Sequence, residues 1–337
     1  ARRLVPQATA FLYFPLDLPW VVRRVIGEIA PDIVVLTETE LWPNFLGHCS
    51  RRAIPVVMVN GRVSPRSFRR YSRTSFFWKK VLGTVREIGV ISGVDADRIR
   101  ALGAAPGNVR VMGNAKYDSL ASRVSGEDWS RKAAQLKMTA DSRVLVAGST
   151  HEGEEAVVLD VYRGLLREFP DLRLVLVPRH PERGAAVRDL AAQKGHACIL
   201  MSEIRAGREP QGELVVVDVI GELFALYSLA TVVFCGGSLV PKGGQNILEP
   251  AAWGKVVFYG PSMEDFADEK ALLEEAGAGI CVRDGRELLD RMREILSDPA
   301  ERQRRGAEGR KRVLSSRGAA ERYAEMVVKA LGLKAKG

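Results

Sequence analysis

The sequence predicts an α/β protein made of two parallel-sheet units in tandem. Three observations carry this expectation. Short apolar runs alternate with amphipathic stretches along the 337 residues, which is the pattern of strand, helix and parallel strand. The alternation stops in the polar stretch SRVSGEDWSRKAAQLKM (residues 122–138) and restarts at Val144. Glycines and charged residues cluster directly after the apolar runs, where parallel sheets bind ligands, outside the carboxyl ends of their strands.

In the first half the runs are IVVL (residues 33–36), VVMVN (56–60), EIGVIS (87–92) and VRVMG (109–113). The second half repeats the scheme with VLVAGS (144–149), LRLVLVP (172–178), ELVVVD (213–218), TVVFCGG (231–237) and KVVFYGP (255–261). Two Rossmann-like domains are expected, residues 1–122 and 123–315, with the boundary region at 118–128. Residues 316–337 form a third segment, with apolar residues at helical intervals from Ala319 to Leu331. It reads either as a solvated terminal helix or as a helix crossing back onto the first domain.

The bulk properties narrow the class. A hydrophobic fraction of 46% supports a buried core rather than disorder. Lysine and arginine total 50 against 41 acids, a formal charge of +9 that suits phosphates, anionic lipid or nucleic acid without choosing among them. Cys49, Cys198, Cys235 and Cys281 are too far apart for a zinc or redox motif. No run of about 20 apolar residues is present to span a bilayer. The chain starts at Ala1 and enters the apolar run FLYFPLDLP almost at once, so the first domain is expected to be truncated at its N-terminus.

The richest constellation is CGGSLVPKGGQNILEPAAWG, Cys235 to Gly254. A buried strand ends in Gly236 and Gly237, followed by Ser238; a second pair, Gly243 and Gly244, precedes Gln245 and a helix. Glycine lets backbone approach a ligand, and a helix start offers N–H groups to a phosphate. Lys242 adds a positive charge. Asn246 and Glu249 are three apart, which permits a capping pair; alternatively Glu249 accepts hydrogen bonds from ribose hydroxyls. In VPRHPER, Arg179 could grip a phosphate bidentately and His180 add a donor. In AGSTHEGEE, Ser149 and Thr150 close a strand, His151 stands at the loop-to-helix junction, and Glu152, Glu154 and Glu155 read as ordinary first-turn acids.

In the first half, Glu38 and Glu40 follow the run ending at Leu36. They are candidates for a general base or for holding sugar hydroxyls, on one face only if the strand continues, or else acids opening a helix. Asn60, Arg62, Arg66, Arg69, Arg70 and Arg73 form a dense basic span that could receive a phosphorylated or carboxylated acceptor, or simply be solvated. Asp95 and Asp97 spell the Asp-X-Asp of metal-dependent sugar transferases but sit where a helix begins, so no catalytic metal is expected.

Taken together, TETELWPN, VNGRVSPRS, GNAKYD, GSTHEGEE, PRHPER and GGSLVPKGGQNILEPAAWG follow the order of motifs in the Kdo (3-deoxy-D-manno-octulosonic acid) transferases of lipopolysaccharide synthesis, and the chain resembles that family over nearly its whole length. The resemblance implies a GT-B fold, with the two domains facing across a cleft. It also implies CMP-Kdo as donor substrate rather than any cofactor, a lipid A precursor as acceptor, inversion at the anomeric carbon and no metal. Attachment to the anionic cytoplasmic face of the bacterial inner membrane is implied too, with no nucleic-acid partner. By the same resemblance Arg179, His180, Lys242, Gly243, Gly244, Asn246 and Glu249 hold the CMP moiety. Ser149, Thr150, His151, Gly237, Ser238 and Gln245 join them as ligand-edge candidates. Gln245 stands where the family often has His, and Pro65 where it often has Glu. The family's S-V-G-E segment, whose Glu acts as general base, is not found before Phe11. Two alternatives stand beside this expectation: a GT-B transferase using a UDP- or ADP-sugar, and a truncated chain that binds nucleotide or membrane without turnover.

Overall fold

The structure, a computed structural model, describes residues 5–126, 129–139, 141–212, 214–315 and 317–332. Contacts divide the chain into two units, Ala1–Asp118 with Ser316–Gly337, and Ser119–Ser315. The first crossing thus falls at 118/119, four residues before the expected 122/123. Glu213 of the expected ELVVVD strand, Ser316 and residues 333–337 lie outside the described residues.

The first unit holds a parallel sheet of β1 (Val34–Thr37), β2 (Val56–Gly61), β3 (Glu87–Val90) and β4 (Val109–Val111), paired in sequence order. The run VVMV is apolar throughout because β2 is covered on both faces. Val56 and Met58 pack into one core with Leu46, Ile88 and Ile99, while Val57 points to the opposite face and meets Ala319, Tyr323 and Met326. Those three residues belong to the helix Ala319–Ala330, so the last segment is a layer of the first unit and not a solvated terminus.

Glycine at position 89 is required by this packing, since a Cβ there would lie 2.5 Å from Tyr323 Cε1. The helix is fastened at its start by the Asp118 carboxylate, which accepts from Gly318 N (2.6 Å) and Ala320 N (3.0 Å). Tyr323 Oη donates to Gly113 O at 2.8 Å and Arg322 Nη2 to Met112 O at 2.7 Å. The GNAKYD motif therefore seats the returning helix.

The second unit continues with β5 (Val144–Thr150), β6 (Arg173–Pro178), β7 (Cys198–Leu200), β8 (Leu214–Val216), β9 (Val232–Cys235), β10 (Val256–Tyr259) and β11 (Gly279–Cys281). All pairings are parallel, in the order β11-β10-β9-β5-β6-β8-β7. Alternate residues of five strands (Leu145, Leu174, Val216, Phe234 and Phe258 among them) fill one core with the helices Glu154–Leu165 and Gly285–Ser297. The edge strands β7 and β11 are three residues each and carry no long apolar run, which is why the sequence pattern passes over them. The chain leaves β5 toward β6 on one side and returns to β9 on the other, so the sheet's switch point lies between β5 and β9.

The Asp118 clamp yields a test. Asp118→Ala should cost about 1–2 kcal/mol, the range for a lost helix cap. It should also expose the helix Ala319–Ala330 to protease before the second unit unfolds; simultaneous cleavage throughout the chain would contradict that role.

Candidate functional site

The candidate site grows from the switch point. Gly148 in β5 is in register with Cys235 in β9, so the segments leaving the two strands run side by side. They are so close that a Cβ on Gly236 would lie 2.5 Å from both Ser149 O and Thr150 Cα. The residue that organises them is Glu154, whose side chain has no solvent exposure. Its Oε2 accepts from Gly237 N (2.7 Å) and His151 N (2.9 Å), and its Oε1 from Ser238 N (3.0 Å) and Leu239 N (2.9 Å). Four backbone donors satisfy a carboxylate that burial alone would penalise by several kcal/mol.

This changes the expected role of the first glycine pair. The N–H groups of Gly237 and Ser238 are engaged by Glu154 and do not point at a phosphate. Ser238 is fully buried, and its hydroxyl donates to Cys235 O (2.6 Å) and accepts from Gly260 N (2.8 Å). Thr150 is fully buried as well, with Oγ1 3.4 Å from Glu155 Oε1. Both reach the ligand edge only through their backbone. Ser149 takes a left-handed φ of 55° at the strand end.

His151 leans on the Glu154 cradle, Nδ1 being 3.9 Å from Glu154 Oε2, and its ring meets that of His180 edge-on at 6.1 Å. Burial lowers the His151 pKa against the opposing pull of Glu154, with His180 and Lys242 lowering it further, so the imidazole is neutral at pH 7. A Cβ on Gly237 would approach His151 Cε1 to 3.2 Å and Gln245 Cγ to 3.3 Å. The structure thus gathers His151, His180, Gly237 and Gln245. Arg179 joins through its backbone N–H, which donates to Thr150 O at 2.9 Å, while its side chain is exposed, as is Lys242.

The second glycine pair is shaped by close approach. Gly243 and Gly244 have φ of 80° and 84°, and added Cβ atoms would lie 2.5 Å from Asp265 Oδ2 and 2.4 Å from Met263 Sδ. The helix that follows is Leu248–Ala252, with Ile247 at its N-cap and no side-chain cap. The capping pair considered for Asn246 and Glu249 does not form. Asn246 Oδ1 accepts instead from Leu248 N at 3.1 Å, and Glu249 Oε1 lies 3.2 Å from Arg123 Nη1. The Arg123 guanidinium stacks 3.7 Å over the Phe224 ring, which holds the Glu249 carboxylate in a fixed, half-enclosed position.

Sequence reasoning missed three residues here. Glu154 and Arg123 are two; the third is Arg183, which bridges Glu152 at 3.2 Å and Glu155 at 3.4 Å. Burial raises the Glu155 pKa, with Arg183 and Thr150 opposing. A first-turn acid such as Glu154 carries no local signal that separates an exposed helix start from a buried anchor.

In the first unit β1 ends at Thr37, and Glu38 takes φ 63°, so the strand does not continue and the condition for Glu38 and Glu40 to share a face is not met. Neither opens a helix, since the next one starts at Pro43. Both are exposed, with Glu38 3.7 Å from Lys116 Nζ and Glu40 accepting from Trp42 Nε1 at 3.0 Å. Asn60 is buried, its Oδ1 accepting from Ala115 N at 3.0 Å. The backbone N–H of Arg62 is held by Thr39 Oγ1 at 2.9 Å. Arg66, Arg69, Arg70 and Arg73 line a separate cavity of about 590 Å3 on the helix Pro65–Ser72. Asp95 is buried, accepting from Val63 N at 2.8 Å and from Ser92 Oγ, while Asp97 is exposed beside Arg100.

Comparison with known proteins adds the following. Residues 1–119 match the model of the family described as 3-deoxy-D-manno-octulosonic-acid transferase (kdotransferase). The 3-deoxy-D-manno-octulosonic acid transferase of Haemophilus influenzae is 33% identical over 318 residues, covering 94% of this chain and 73% of that protein. Among solved structures, the C-terminal CMP-Kdo binding domain of WaaA from Acinetobacter baumannii matches with 26% identity and a TM-score of 0.50, over 58% of this chain and 98% of that domain. UDP-GlcNAc 2-epimerase from Neisseria meningitidis matches at 12% identity with a TM-score of 0.64, over 92% of this chain and 80% of its own, a likeness of fold. The architecture is that of the GT-B transferases and epimerases.

The anchor is open to a direct test. Glu154→Gln places an amide nitrogen against N–H donors, and the unpaired groups should destabilise the second unit by about 2–4 kcal/mol in denaturant unfolding. A change under 1 kcal/mol would remove Glu154 from this role.

Proposed function

The chain belongs to the Kdo transferase family, and on that premise we propose that it transfers Kdo from CMP-Kdo to a lipid A precursor. The loop cluster at the switch point of the second unit carries the reading. That unit resembles a domain named for CMP-Kdo binding, and its loops put positive side chains, a neutral imidazole and an anchored carboxylate at the carboxyl ends of β5, β6 and β9.

In this reading Arg179 and Lys242 meet the CMP phosphate, His151 and His180 donate to it, and Glu249 accepts from the ribose hydroxyls. Arg123 has already fixed the Glu249 carboxylate, so little side-chain freedom is lost on binding. The acceptor hydroxyl oxygen forms a bond to the anomeric carbon while the bond to the CMP phosphate oxygen breaks on the opposite face, which inverts the centre. Positive charge at the phosphate stabilises the leaving CMP, and this part of the step needs no metal. Glu38 and Glu40 are the first unit's candidates for taking the hydroxyl proton.

The arginine-lined cavity of the helix Pro65–Ser72 is proposed to receive the acceptor phosphates. Exposed Phe11, Tyr13, Phe14, Trp20 and Phe76 in the same unit suit the headgroup level of an anionic bilayer, where aromatic rings are enriched. No helix among the described residues is long and apolar enough to cross a membrane, and attachment is proposed through this exposed surface.

CMP should raise the unfolding temperature of the chain where equal UDP or ADP does not. Glu249→Ala should weaken CMP binding by about 1.5–3 kcal/mol, the range for a bond to a charged group. Equal stabilisation by UDP, with no Kdo transfer to a lipid A precursor, would overturn the donor assignment.

The acceptor assignment is tested separately. Replacing Arg66, Arg69 and Arg70 together by Gln should raise the acceptor KM several-fold and leave the CMP-Kdo KM unchanged. The wild-type advantage should shrink as salt is raised. An equal loss for both substrates would sink it.

A further inference from the structure

The seven-stranded sheet has a second built environment, at the amino ends of its strands and so at the opposite edge from the glycine loops. Val144, Thr231 and Lys255, the residues at or just before the starts of β5, β9 and β10, line a cavity of about 440 Å3. Lys255 and Arg302 line it, together with the hydroxyl residues Thr139, Ser142 and Thr231 and with Trp253. That volume is within the range of small-molecule sites, roughly 300–1,000 Å3.

The charge balance of this cavity is one-sided. Lys255 has no carboxylate within ion-pair distance among the described residues, and its charged neighbour is Arg302. Burial, with added repulsion from Arg302, pushes the Lys255 ammonium down to about 8. Arg302 is itself lowered by burial and then by Arg143, against a smaller opposing pull from Asp298, and it is held by Nη1 donating to Ile295 O (3.3 Å) and Leu296 O (3.4 Å) at the end of the helix Gly285–Ser297. Trp253 Nε1 is buried without an acceptor. Thr231 Oγ1 accepts from Val144 N at 2.9 Å, which leaves its hydrogen to donate. A half-buried lysine with no carboxylate in ion-pair distance and a buried N–H without a partner are costly, and the cost is relieved when an anion supplies the missing acceptors.

We propose that this cavity is an anion site for a phosphate group, held by Lys255 and Arg302 with donors from Thr231 and Trp253, separate from the donor loops at the other edge of the sheet. A phosphate offers several oxygens, enough to accept from two cations and two neutral donors at once. The group can come as free inorganic phosphate or as the monoester of a phosphorylated sugar.

The test titrates the whole chain with inorganic phosphate and, in parallel, with glucose 1-phosphate, reading intrinsic fluorescence and the unfolding temperature. Wild type should bind with a saturable change in fluorescence that is absent from Trp253→Phe. Lys255→Met should weaken binding at least tenfold, Lys255→Arg should retain it, and Lys242→Met, in the donor loops, should keep it as in wild type. Tighter binding of the sugar phosphate identifies a monoester site, and equal or tighter binding of inorganic phosphate a site for the free ion. No saturable change in wild type with either probe, or equal affinity in Lys255→Met, would overturn the proposal. If the effect vanished in Lys242→Met instead, the phosphate would belong to the donor loops.

Discussion

One buried carboxylate sets the geometry on which the second unit's chemistry depends. Glu154 accepts from the backbone of residues 237–239 and from His151, and so joins two loops that the sheet topology sends in opposite directions. Four backbone N–H donors offset the burial of this carboxylate. The consequence is a division of labour. Backbone donors next to the strand ends hold the scaffold, and under the proposed function recognition of a charged ligand is left to side chains further along the loops, Arg179, His180, Lys242 and Glu249.

The net charge of +9 needs a similar division. Several arginines serve as structural donors to carbonyl oxygens: Arg98 to Val63, Arg322 to Met112 and Arg173 to Lys137. Lys132 and Arg205 both close on the buried Glu222, where burial would raise the carboxylate pKa but hydrogen bonds from the two cations lower it overall. A guanidinium capping a helix end is less available to an incoming anion. Under the proposed function, the positive charge that serves binding is concentrated in a few places such as the helix Pro65–Ser72.

Much of the fold was legible because parallel strands covered on both faces must be apolar throughout, and nine of the runs correspond to strands within one or two residues. The short edge strands were not, since three residues such as Cys198–Leu200 carry too little pattern. At the site, loop positions were legible from glycine pairs after strands, but roles were not. Asn246 and Glu249 have capping-box spacing, yet the helix begins two residues past Asn246 and Arg123, more than a hundred positions away, takes the acid. Asp118 looked like one more residue of a motif, whereas its partners Gly318 and Ala320 lie two hundred positions on. Spacing reports local geometry; partners distant in sequence are a property of the packed chain.

The second unit is a continuous stretch placed inside the first, which is completed only by the helix Ala319–Ala330. On a ribosome, residues 119–315 emerge before the first unit has all its parts, and the β2–β3 face around Val57 and Gly89 must wait until the helix Ala319–Ala330 has been made. Until then it is an open apolar groove, attractive to a chaperone or a protease. A nascent chain that stops early thus advertises its own incompleteness, and quality control can read that signal without testing catalysis.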